Sequence, residues 1–276
     1  LAATAMSLQG AILMMQLKMR LSPGRWLVLA LAAAIALPAC VSLPVPVSQG
    51  VGAVQQAADL SRHGEHVRAA QAYEGLAATR SLPERVDLQL SAAREWLAAG
   101  RAADAARVLA SIGAAQNAAQ EYEHALLDAE VSLDANHIQQ AWRQINALSP
   151  GATAPAALRY YSLRMQIALA AGRPLDGVRS EMAAERNTSG AAALTGLRSG
   201  LLTALIAARA RGVRMLPQTS TDPTVRGWLQ LGAMVPRSRA ASLGNAALAA
   251  RWRTLYPDHP ALSVLAEAFP TPPIAT

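Results

Sequence analysis

The stretch Trp96-Leu97-Ala98-Ala99-Gly100-Arg101-Ala102-Ala103-Asp104-Ala105 decides the fold. An amphipathic segment stops at Gly100, a residue type that tolerates the left-handed conformation closing a helix, and a second segment starts at once on small residues. The same junction recurs at intervals of 36, at Gly64, Gly100, Asn136 and Gly172. Seven positions before it stand Ala57, Ala93 and Ala129; three before it stand Leu97, Leu133 and Leu169. Five after it come Ala69, Ala105, Ala141 and Gly177; nine after it, Tyr73, Leu109 and Ile145. Antiparallel helices joined by a short turn approach closely only where small side chains face each other, and a larger residue four positions on fills the groove against the next pair. The pattern predicts stacked helical hairpins.

This arrangement resembles the tetratricopeptide repeat, with its turn glycine, small residue and later aromatic or aliphatic residue. The usual period there is about 34 residues, so 36 implies slightly longer helices or turns. The fourth unit departs, because Glu181 stands where Tyr73, Leu109 and Ile145 stand in the others. We read residues 51–185 as these repeats and 186–265 as further helices of the same domain, near 190–212, 221–234 and 238–256. Residues 266–276 form a Pro-rich tail. The region is rich in Ala, Leu, Arg, Gln and Glu, good helix formers, and lacks strand-type alternation. The fold class is all-α, a TPR-like α-solenoid preceded by a lipoprotein signal peptide; an irregular all-α domain is the competing reading.

The signal rests on Cys40, the only cysteine. A basic patch (Lys18, Arg20, Arg25) precedes an uncharged run, Trp26–Pro38, and then Leu37-Pro38-Ala39-Cys40, a lipobox. The run is ~13 residues, short of the ~20 that cross a bilayer, and Pro38 ends it, which disfavours a transmembrane helix. A buried thiol is disfavoured by the Pro-rich surroundings. Residues 1–39 are thus a signal peptide, with 1–18 upstream of a compact start at Met19. Acylated Cys40 opens a lipidated tether over 40–50. Val41, rather than Asp, follows Cys40 and points to the outer membrane, facing the periplasm.

Removing 1–39 leaves 22 arginines against 18 acidic residues. No basic run interleaves with aromatics, so no nucleic-acid partner is expected. With one cysteine, no internal disulfide forms, and stability must come from packing. His63 and His66 flank the Gly64 turn and share no helical face, and no third ligand completes a metal site. His124, His137 and His259 stand alone, as solvated or capping residues. Nucleophile elbows, phosphate loops and zinc-protease strings are missing, as are the Glu-Ser and Gly-Leu-Met-Gln strings of lytic transglycosylases. We expect no enzyme, no cofactor and no small-molecule substrate. Trp96 and Trp142 read as core. Trp228, in Gly227-Trp228-Leu229, and Trp252 and Tyr256, in Trp252…Tyr256-Pro257-Asp258-His259-Pro260-Ala261, fit either packing of the last helices or contact with a partner. Pro257 and Pro260 are expected to end that helix and aim the chain outward.

These two segments, in this order after a lipobox, resemble the LppC/LpoA family of lipoprotein activators of penicillin-binding proteins over about residues 40–265. The resemblance implies a tetratricopeptide-like half leading into an α/β domain similar to a type I periplasmic binding protein, which in the family is associated with docking on a class A peptidoglycan synthase. The sequence stops at Thr276, before such a domain; a truncated product and a short relative with its other half encoded separately both fit. The implied function is a periplasmic scaffold regulating peptidoglycan synthesis. The alternative is a generic tetratricopeptide lipoprotein serving outer-membrane protein or pilus secretin assembly.

Overall fold

The computed structural model describes residues 51–115, 117–236 and 242–270. Twelve α-helices and two short 3-10 segments make up these residues, with no strand among them. The four hairpins are α1 (Val51–Arg62) with α2 (His66–Ala77), α3 (Glu84–Ala98) with α4 (Ala102–Ser111), α5 (Ala118–Asp134) with α6 (Ile138–Ala147), and α7 (Ala154–Ala170) with α8 (Pro174–Glu185). Beyond them come α9 (Ala191–Ala210), α10 (Pro223–Met234), α11 (Leu243–Leu255) and α12 (Leu265–Ala268).

All four repeated turns are the same device. Gly64, Gly100, Asn136 and Gly172 have φ of 77°, 70°, 60° and 73°. At Gly100 the turn residue donates its N–H to Leu97 O (2.8 Å) and Arg101 donates to Trp96 O (2.8 Å). The bonds recur at Asn136 with Leu133 O and at His137 with Ser132 O, and again after Gly64 and Gly172. This is the Schellman motif, which satisfies carbonyls left over at a helix end. Three helix starts are capped by side chains: Asn117 accepts from Gln120 N–H at α5, Thr153 from Ala156 N–H at α7 and Asp222 from Thr224 and Val225 N–H at α10.

The columns pack as their spacing predicts, except that Leu133 in the leucine column is only partly buried. Ala57, Ala93 and Ala129 are fully buried, as are Ala69, Ala105 and Ala141. Nine residues after each turn, Tyr73, Leu109 and Ile145 are buried too. Gly177 closes the small-residue column: a Cβ there would sit 2.8 Å from Leu169 Cγ, so α7 and α8 approach over a missing side chain. Principal contacts run between near neighbours in the chain, as in a solenoid. Ion pairs add to the stack. Glu123 of α5 is held by Arg94 of α3 (2.7 Å) and Arg159 of α7, and Arg159 also reaches Glu130 (3.3 Å). Burial works against the Glu123 carboxylate, yet the two arginines keep its pKa below the usual range.

A fifth Schellman turn, at Gly212 (φ 91°), escaped the period because it lies 40 residues after Gly172. The first helix of that unit, α9, has 20 residues against 17 in α5 and α7, and a 3-10 segment, Pro217–Thr219, follows it. By length and composition α9 could cross a membrane; here Leu201, Leu202 and Leu205 are fully buried in the core. The expected outward course after Pro257 and Pro260 is corrected. A 3-10 segment, Pro260–Val264, turns the chain back, and Ala261, Val264, Leu265, Ala268 and Phe269 are buried with α9 and α10 residues. Ala268 and Phe269 thus belong to this core and not to the tail. Apolar side chains after a proline still gain about 1.5–3 kcal/mol each by burial, which outweighs the bias of the residue before it.

Candidate functional site

Cys40, with residues 1–39 and the tether, lies outside the described residues. The two segments singled out near the C-terminus come together, and each explains the other. Asp222 caps α10 and Pro223 occupies its first turn. That fixes Gly227 and Trp228 on the inner face. Trp252 of α11 donates its indole N–H to Gly227 O (3.2 Å). The imidazole of His259 then fills the space a side chain at 227 would take: a Cβ there would lie 2.5 Å from Cδ2 and Nε2.

The ring is gripped at both nitrogens. Nε2–H donates to Thr224 O (2.7 Å) and Nδ1 accepts from Ala261 N–H (3.0 Å), which fixes the neutral tautomer. Trp252, Trp228 and Tyr256 meet it edge-on, with centroids 5.0, 5.5 and 5.7 Å away. Burial pushes the His259 pKa down, against the bond to Thr224 O, which favours the charged form.

Of the two readings left open for these aromatics, packing is the one observed. Trp228 and Trp252 are 1% and 0% exposed, which leaves them no surface for a partner; Tyr256 is half-buried against the same cluster. His259 is a cap, as one reading had it, but buried rather than solvated. Sequence reasoning missed that it seats on Gly227; the Gly-Trp-Leu and His-Pro-Ala strings were the signal that the two segments mattered. Trp96 is core and donates to Glu74 (2.6 Å), whereas Trp142 is only half-buried. His66 is paired, its Nδ1 2.8 Å from Glu95, which also accepts from Ser61 (2.8 Å).

Glu181, the residue that broke the repeat, is 0% exposed, and neither carboxylate oxygen has a hydrogen-bond partner. Burial, reinforced by the charge of Glu185 and opposed by Arg198, raises its pKa to about 8. Beside it Arg198 grips Glu185 with two bonds of 2.9 and 3.0 Å. A cleft of about 390 Å³ opens there between α8, α9 and α10, lined by Met182, Leu194, Thr224 and Trp228. No group of three His, Cys, Asp or Glu placed to hold a metal occurs among the described residues. The arrangement offers interlocked packing and paired charge rather than a set of reacting groups.

Fold and site together define a helical-hairpin solenoid closed at its C-terminal end by an aromatic-histidine lock. A family model described as "LppC putative lipoprotein" matches residues 67–271, about three-quarters of the sequence. The chain belongs to that family. In fold it is similar to the N-terminal domain of LpoA from Haemophilus influenzae (20% identity, TM-score 0.53), covering 71% of this chain and 88% of that domain. It is similar also to the amino-terminal domain of LpoA from E. coli (20% identity, TM-score 0.52, 75% and 92% covered). Against full-length H. influenzae LpoA (21% identity, TM-score 0.53) the match takes in 71% of this chain but only 36% of that one. No curated protein matches the chain.

Proposed function

We propose that this chain is an outer-membrane-anchored periplasmic lipoprotein that regulates peptidoglycan synthesis by binding a class A penicillin-binding protein. Membership of a lipoprotein family across residues 67–271 carries the reading, together with the lipobox ending at Cys40. The action is positional. A thioether-linked diacylglycerol with a further acyl chain anchors stably where one chain alone would not. Repeated hairpins then present a folded surface whose binding energy favours one state of the synthase, with no chemistry on this chain.

Two measurements test this. Mass spectrometry of the protein from its native host is expected to find cleavage before Cys40 and acyl chains on that residue; an uncleaved thiol removes the anchor. Immobilised acylated protein is expected to retain a purified class A penicillin-binding protein and raise its glycan polymerisation rate. Retention of a β-barrel assembly factor or a secretin in its place would favour the generic scaffold.

A further inference from the structure

The half-buried ring of Trp142, on α6, carries two guanidinium groups. Arg164 Cζ, from α7, lies 5.4 Å from the ring centroid and Arg173 Cζ, in the α7–α8 turn, 4.8 Å. Arg164 is held in place by neutral groups: Nη1 donates to Ser180 Oγ (2.6 Å), and Nε and Nη2 both donate to Asn146 Oδ1 (3.3 Å each). Ser180 is itself buried and donates to Asp176 O (2.8 Å). Among the described residues neither arginine has a carboxylate within ion-pair distance; the nearest in sequence, Asp176, sits in the first turn of α8.

An internal control exists three helices earlier, on α3. Arg101 lies 4.5 Å from the ring of Trp96, but Asp104 neutralises it at 2.6 Å. Glu74 accepts from the Trp96 indole and also binds Arg107. The tryptophan–arginine pairing is therefore charge-balanced at Trp96 and unbalanced at Trp142. The wider field has the same sense. Residues 51–134 hold 7 arginines and 12 acidic residues, whereas 135–276 hold 15 and 6.

Two cations held on one aromatic ring repel, and the forked geometry of guanidinium matches a planar carboxylate. We propose that Trp142, Arg164 and Arg173 form a binding site for the carboxylates of an acidic peptide segment on a partner protein. A peptide fits better than a lipid surface. Large exposed apolar side chains among the described residues are Val67, Leu82 and Leu255, so none accompanies this cluster to enter an acyl layer. Arg164 is also fixed in orientation, which serves a directional ligand more than a diffuse charge.

The test is fluorescence anisotropy of a fluorescein-labelled octaglutamate peptide titrated with the full chain at low salt. Arg164→Gln with Arg173→Gln is expected to weaken binding at least tenfold. Arg251→Gln with Arg253→Gln removes the same charge from the exposed face of α11 and is expected to change it less than twofold. Arg173→Gln alone changes an exposed residue and guards against misfolding; it should weaken binding several-fold with an unchanged thermal midpoint. Equal losses in the two double variants, or no binding by the parent, would overturn the site. So would tighter binding to phosphatidylglycerol vesicles with the same dependence on Arg164 and Arg173.

Discussion

Between Val51 and Glu185 the arrangement repeats: Ala69, Ala105 and Ala141 are each fully buried, the two helices of each hairpin pack on one another, and each turn makes the same pair of backbone bonds. Between Ala191 and Phe269 the contacts are single and distant. Gly227 makes room for His259, Trp252 bonds back to Gly227 O, and Leu205 shares a core with Phe269. The first region spreads its stability over similar units, so a local defect stays local. The second depends on one interlocked cluster and should open as a whole.

The largest expected effect falls on the second region. Trp228→Ala removes a fully buried ring and should cost about 4 kcal/mol. Hydrogen exchange should then show α9–α12 losing protection together while α1–α6 keep theirs; uniform loss would erase the distinction between the regions. Gly227→Ala follows at about 3 kcal/mol, because an imidazole held at both nitrogens cannot yield to a Cβ 2.5 Å away. Urea unfolding measures it, and Gly100→Ala in the same assay provides the contrast.

Glu181 sits where the regions meet. Glu181→Leu restores the apolar column and should stabilise the protein by about 2 kcal/mol at pH 7, since it removes an unsatisfied buried group. Its folded-state pKa of about 8 lies above the ordinary 4.5. The native state therefore holds the proton more tightly, and its contribution is complete below pH 4.5 and lost as pH rises towards 8. His259 has the opposite sign. Its pKa is lowered from 6.5, so that contribution is complete above 6.5 and lost as pH falls. Stability curves from pH 5 to 9 should flatten on the alkaline side in Glu181→Leu and keep their acid limb.

The smallest effects belong to the repeated turns. Gly100→Ala places a Cβ at φ 70° and should cost about 1–2 kcal/mol. Asn136→Gly relieves a φ of 60° and should gain under about 1 kcal/mol. Thermal midpoints of the two variants, moving in opposite directions, check both.

The hairpins were legible because a Schellman turn is local chemistry: a left-handed residue, then a small residue five positions on, within one short window. Gly212 was not legible, although its turn is the same, because α9 adds residues and shifts it off the period. The aromatic segments could be picked out but not interpreted. Trp228 and Trp252 would serve equally well as surface anchors or as core, and only the return of the chain at Pro260–Val264 buries them. Glu181 was visible as a break in a column; nothing in its neighbours said that it would have no partner.

By itself the sequence determined the hairpin turns, the small-residue columns and the lipobox, since each depends on residues a few positions apart. The tertiary structure alone decided which side chains lose contact with water: that His259 lodges on Gly227, that Glu181 is buried without a hydrogen-bond partner, and that Trp142 keeps two arginines. Burial is set by what packs in from distant parts of the chain. A residue's solvation, and with it its charge and its availability to a partner, is fixed only when those parts meet.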